Sequence, residues 1–97
     1  MTKVRWGFLS TAAIARKNWK AISLAENAEL VAVASRDLNK AQNFINECQA
    51  QVPMPNRVDA VGSYEELLAR PDIDAVYIPL PTGLRKPWII AAMEANK

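Results

Sequence analysis

The sequence predicts an α/β fold, a partial doubly wound parallel sheet of about four strands with helices between them. Three observations carry that expectation. Short apolar runs rich in Val, Ile and Ala alternate with stretches of helical spacing, the pattern of strands joined by helical crossovers. The stretch Val4 to Ala15 begins as an apolar run of alternating bulk (Val4, Trp6, Phe8), ends in small residues and passes straight into a helical pattern, as the first strand of a βαβ unit does. Turn-forming residues, Ser35-Arg36-Asp37 and Pro79-Leu80-Pro81-Thr82-Gly83, close the second and fourth runs.

Taken in order, Ala15, Trp19, Ile22 and Ala25 form the apolar stripe of a first helix that Asn27 stops, with Trp19 packing helix to sheet. Leu30 to Ala34 is a second buried strand. Leu38, Ala41, Phe44, Ile45 and Cys48 share one face of a second helix, which Asp37 caps. Pro53 and Pro55 enforce an extended loop before a marginal third strand, Arg57 to Val61. Ser63 with Glu66 forms a capping box for a short helix holding Tyr64, Leu67 and Leu68 that ends at Pro71. Ile73 to Ile78 is the fourth strand. The last helix is expected to begin near Leu84, because Pro87 lacks an N–H and is tolerated only in a first turn.

Composition excludes several classes. Ninety-seven residues make one domain at most, with a limited core. The net charge of +2 is spread along the chain without an aromatic-laced basic cluster, which argues against a nucleic-acid partner. With no His and a single Cys, there is no metal-ligand cluster, no disulfide framework and no His-based acid or base, and a cytoplasmic setting is the default. No run approaches the roughly 20 apolar residues of a membrane span. Lys3 and Arg5 ahead of a run ending Ala13-Ile14-Ala15 resemble a signal peptide only on the surface, since cleavage there removes the first strand.

In a doubly wound order the carboxyl ends of strands one, two and four line a cofactor crevice. These ends are Phe8, Leu9, Ser10, Thr11 and Ala12, with Ala13 and Ile14 opening the helix; Ser35 and Arg36; and Pro79, Leu80, Pro81 and Thr82. All are candidate cofactor-binding residues. The dinucleotide fingerprint carries three small positions for a tight turn, a close approach to pyrophosphate and close helix packing. Here Ser10 and Ala12 stand where glycines are usual, and Ala15 takes the third position. Ser10 and Thr11 can cap the helix or donate hydroxyls to phosphate. A buried strand followed by a capped helix without a ligand is the alternative. Where an NAD-binding chain carries an acidic residue for the ribose 2′-hydroxyl, this one has Ser35 and Arg36, whose fork of donors suits a 2′-phosphate and favours NADP over NAD.

Arg5 to Ala15 (RWGFLSTAAIA), Val33 to Arg36 (VASR), Ser63 to Leu68 (SYEELL), Ile73 to Gly83 (IDAVYIPLPTG) and the helix to Lys97 together resemble the N-terminal domain of the glucose–fructose oxidoreductase, inositol dehydrogenase and rhizopine-catabolism family (Gfo/Idh/MocA). The resemblance is greatest to the branch of dihydrodiol and NADP-dependent xylose dehydrogenases. It implies a Rossmann domain spanning residues 1–97 that stops before its fifth strand, followed in the whole protein by an α/β substrate domain that often forms the oligomer interface. It also implies hydride exchange between the nicotinamide and a sugar, polyol or diol. The family's catalytic lysine lies in a Glu-Lys-Pro motif on the next strand, so no residue of this chain is assigned a catalytic role. Lys97 ends the preceding helix.

Two functional readings follow. One is the NADP-binding part of an oxidoreductase, inactive by itself; the other is a nucleotide-binding or structural module without catalysis. The strand around Val76 is expected to leave an open edge near Ala75 to Ile78, which invites homo-oligomers unless the last helix folds over it.

Overall fold

A computed structural model describes residues 3–80 and 82–97. Four strands and four helices alternate: β1 (Val4–Leu9), α1 (Ala13–Leu24), β2 (Ala28–Ala34), α2 (Leu38–Gln51), β3 (Asp59–Val61), α3 (Tyr64–Leu68), β4 (Ala75–Tyr77) and α4 (Thr82–Glu94). All strand pairs are parallel, in the order β3-β2-β1-β4. The α/β class and the four-stranded parallel sheet are as the sequence predicts. The chain winds outward from β1 to β3, then crosses back to place β4 on the other side of β1, so the strand order reverses beside β1.

The sheet separates two apolar clusters. Phe8, Leu30 and Val33 pack with Ala15 and Trp19 of α1 and with Phe44, Ile45 and Cys48 of α2. Leu9, Ala32 and Ala34 pack with Tyr64, Leu67 and Leu68 of α3 and with Ala92 of α4. The assignment of Leu30 and Val33 to one face breaks the period of two, and the register explains it. Trp6 pairs with Leu30 but Gly7 pairs with Ala32, so Val31 is skipped and the side chains beyond it exchange faces. Gly7 leaves room for α3 and the segment after it: a Cβ there would lie 2.8 Å from Leu67 Cδ2 and 3.0 Å from Ile73 Cδ1.

Several boundaries differ from expectation. Helix α1 ends at Leu24 rather than Asn27, and β2 begins at Ala28 because Val4 already pairs there and its amide donates to the Asn27 carbonyl (2.8 Å). β3 and β4 are shorter than the apolar runs that contain them. Leu38 opens α2 but is exposed, leaving the buried stripe to Ala41, Phe44, Ile45 and Cys48. Helix α4 begins at Thr82, not near Leu84, which puts Pro87 in its second turn. The Gly83 carbonyl thereby loses its amide partner, and because Gly83 is exposed, water can take that place. The other end of α4 is closed by Asn96 at φ 64°, with the Lys97 amide donating to the Ala92 carbonyl (2.9 Å) and the Asn96 amide to Met93 (3.1 Å).

The entry to β4 is pinned by Asp74. Its amide donates to the Arg5 carbonyl (2.7 Å), and its carboxylate accepts from the Arg5 amide (2.9 Å), Nε (3.0 Å) and Nη2 (2.9 Å). The Arg5 guanidinium and amide hold the Asp74 carboxyl at about 2, below its ordinary 3.8. A group whose folded pKa is depressed stabilises the fold above its unfolded pKa and loses that contribution as pH falls through the folded one. Stability is therefore expected to drop between about 3.8 and about 2, and Asp74→Asn to flatten that limb in thermal melts across pH. An acid limb identical in the variant would contradict this assignment.

β4 pairs with β1 on one side, and among the described residues no strand covers its other edge. Helix α4 packs through Trp88, Ala91 and Ala92, with Ala95 just beyond it, against one sheet face, leaving Ile89, Ile90 and Met93 exposed.

Candidate functional site

Three strand ends meet at the carboxyl edge of the sheet. Leu9 pairs with Ala34 and Phe8 with Tyr77, so Ser10, Ser35 and the segment after Tyr77 leave the sheet side by side. Phe8 and Leu9 are fully buried, one on each face, and anchor the turn that follows.

That turn is built on Ser10. Its φ of 154° lies on the positive side, which glycine adopts most freely, so the backbone here follows the glycine geometry although the residue is serine. Its Oγ accepts from the Ala12 amide (3.1 Å). Capping by Ser10 or Thr11 does not occur: the N-cap residue of α1 is Ala12, and no side chain caps the helix. The hydroxyl of Ser10 is instead spent inside the turn. The amides of Ala13 and Ile14 consequently have no acceptor among the described residues, both residues are exposed, and the first turn of α1 carries no acidic side chain. A helix N-terminus in that condition attracts an anion. Ala15, at the third small position, is fully buried against the sheet, as close helix packing requires.

At the end of β2, Ser35 is 7% exposed and its amide donates to the Val61 carbonyl (3.1 Å). Its Oγ accepts from the Asp37 amide (3.3 Å), while Asp37 Oδ1 caps α2 through the Asn39 amide (2.9 Å). Arg36 is exposed and forms no ion pair among the described residues. Its Cζ lies 5.9 Å from the centre of the Tyr64 ring. Tyr64 in turn meets Trp88 edge to face, at 5.0 Å and 90°.

After β4, Ile78 and Leu80 pack on the α3–α4 side and Pro79 is half-buried. The Leu80 carbonyl accepts from Arg85 Nε (3.1 Å) and Nη2 (3.0 Å), which braces the connection from within α4. Pro81 lies outside the described residues, and Thr82 is described only as the first residue of α4.

The crevice thus offers backbone amides, hydroxyls and a guanidinium, which can bind and orient an anionic ligand. The chain's strongly shifted acids lie elsewhere. Asp72 is held below the ordinary carboxylate range by hydrogen bonds from Arg70, on the loop that leads toward β4. Burial pushes the Cys48 thiol up, in keeping with a core residue. Lys97 Nζ donates to the Arg70 and Ile73 carbonyls (2.7 Å each), at the amino end of β4 and so away from the crevice. Among the described residues no three His, Cys, Asp or Glu side chains come together as metal ligands do.

Two residues at this end escape sequence reasoning. Arg85 sits in no motif and acts through a carbonyl five residues back. Tyr64 reads as a core residue of SYEELL, and only the fold brings its ring beneath Arg36.

Comparison with known proteins gives consistent matches. The family described as "Oxidoreductase family, NAD-binding Rossmann fold" (GFO_IDH_MocA) matches residues 4–97. Trans-1,2-dihydrobenzene-1,2-diol dehydrogenase of Xenopus laevis is 45% identical over 96% of this chain and 27% of its own length. D-xylose 1-dehydrogenase (NADP(+)) 2 of Haloferax volcanii is 42% identical over 92% of this chain and 25% of its own. Among solved structures, KijD10, a 3-ketoreductase from Actinomadura kijaniata in complex with NADP, superposes with a TM-score of 0.84 at 33% identity, over 99% of this chain and 28% of that one. The chain spans about a quarter of the length of the curated relatives it matches.

Proposed function

The chain belongs to the Gfo/Idh/MocA oxidoreductase family, in its NAD-binding Rossmann fold, and on that premise we propose that it is the NADP-binding domain of an oxidoreductase acting on a sugar, polyol or diol. The observation that carries the reading is the junction of an uncapped α1 N-terminus with an exposed Arg36 that forms no ion pair among the described residues, on neighbouring strand ends. The residues present fit the cofactor. Ser10, Thr11 and Ala12, with the amides of Ala13 and Ile14, would hold the pyrophosphate, while Phe8 and Leu9 fix the strand beneath it. Ser35 and Arg36 would hold the ribose 2′-phosphate, and Pro79 to Thr82 would run along the nicotinamide ribose. Bound there, the cofactor would supply hydride exchange with the substrate. This chain's own part is to bind the cofactor and orient it.

The similarity to NADP-dependent and diol dehydrogenases supports the cofactor and substrate classes over a module without catalysis. The same reading assigns residues 1–97 to one cofactor domain of a cytoplasmic protein. It includes a homo-oligomer, supported by an apolar depression of about 260 Å³ between α1, β1 and β4 that Trp6, Phe8, Ile22 and Tyr77 help to line. No helix among the described residues is long and apolar enough to cross a membrane.

Arg36→Ala is expected to weaken NADPH about tenfold, the lower end of a charge-assisted contact of about 1.5–3 kcal/mol because the side chain is exposed, and to leave NADH nearly unchanged. Calorimetric titration of both nucleotides checks it. Equal weakening of the two would count against the assignment of Arg36.

A further inference from the structure

We propose that Tyr64 is a positioning residue for cofactor choice: its ring holds the Arg36 guanidinium at the carboxyl end of β2, ready for a 2′-phosphate. The inference rests on the NADP reading above and extends it to a residue of α3, which acts on the cofactor through Arg36.

Both ends of the contact are fixed. Arg36 follows Ser35, whose buried backbone is tied to Val61 of β3. Tyr64 is 7% exposed, packed among Leu67, Leu68 and Leu9, and its ring is braced edge to face by Trp88 from α4. Ser63 Oγ accepts from the Glu66 amide (3.1 Å), which sets the start of α3 and so the place from which the ring projects. What remains free is the Arg36 side chain, and the ring face limits where its charge can rest.

The choice of an aromatic partner has a chemical consequence. A carboxylate in that position would hold the arginine as firmly, but it would occupy the N–H groups that a phosphate needs and cancel their charge. A ring face attracts the cation through its quadrupole and leaves the N–H fork unspent at the guanidinium edge. Arg36 is therefore pre-organised without being neutralised, which lowers the ordering cost when phosphate arrives.

Calorimetric titration of the full chain with NADPH and NADH tests the proposal. Tyr64→Leu is expected to weaken NADPH about two- to fivefold, the range of an exposed cation–π contact, and to leave NADH unchanged. Tyr64→Phe should restore the preference for NADPH, and in an Arg36→Ala background Tyr64→Leu should have no further selective effect. A purely structural role would move both nucleotides together. If Tyr64→Leu fails to fold, Phe at position 64 with stepwise ring fluorination keeps the shape while draining the quadrupole. NADPH affinity should then fall along the series, and a flat series overturns the proposal. The two readings fail separately. Loss of selectivity in Arg36→Ala together with an unselective Tyr64→Leu sinks the positioning role alone, whereas an unselective Arg36→Ala sinks the NADP assignment beneath it.

Discussion

Ala12→Val is expected to weaken NADPH and NADH alike, on the order of a hundredfold, without unfolding the chain. Ala12 is the N-cap residue of α1 at φ −59° and ψ 154°, an extended backbone that a β-branched residue adopts readily. Its side chain plays no part in capping, and the bond from its amide to Ser10 Oγ does not depend on the side chain. Two added methyl groups would stand beside the amides of Ala13 and Ile14, on the approach a phosphate must use. Losing two charge-assisted bonds of about 1.5 kcal/mol each accounts for the hundredfold effect. The pyrophosphate is common to both nucleotides, so the loss is unselective, which distinguishes it from Arg36→Ala. Circular dichroism should match the unmodified chain. Normal binding by the variant would move the phosphate site away from the α1 terminus.

Trp19→Ala has the largest expected effect on stability. Trp19 is 1% exposed, packs edge to face with Phe44 at 6.2 Å and donates from Nε1 to the Val52 carbonyl at 2.7 Å. It joins α1, the sheet and the end of α2. Truncation leaves a cavity and an unpartnered carbonyl, for a cost of about 3–5 kcal/mol. Against a total of about 5–15 kcal/mol for a typical domain, that leaves little folded protein at 37 °C in one this small. Urea melts check it, and a loss below about 1 kcal/mol would show that α1 is not held by this side chain. Because α1 carries the proposed phosphate site at its other end, cofactor binding should fall with the folded fraction.

Much of this was legible in the residues because periodicity and turn chemistry are local. Trp19 and Cys48 belong to apolar stripes that any burial makes core, and Asp37 and Ser63 announce their caps by position. What escaped was set by contacts distant in the chain. β2 starts early because β1 pairs with it at Val4, and its faces exchange at Val31 because of a register skip that no local pattern encodes. Pro87 weakens the helix it enters, but exposure of Gly83 lets water take the orphaned carbonyl and softens that penalty. At the crevice, the place of Ser10 in the fingerprint marks it as a stand-in for glycine, but nothing local shows that its hydroxyl closes the turn and leaves α1 uncapped. The placement of Tyr64 under Arg36 depends on α3 crossing the sheet, which composition does not reveal.

The carboxyl ends of β1 and β2 are expected to form a site that prefers a 2′-phosphorylated dinucleotide. Calorimetric titration of the unmodified chain with NADPH and with NADH tests it most directly. One site per chain is expected, with NADPH bound about tenfold more tightly than NADH and the difference shrinking as salt screens the exposed guanidinium. Tighter or equal binding of NADH, or no binding of either nucleotide, would contradict it.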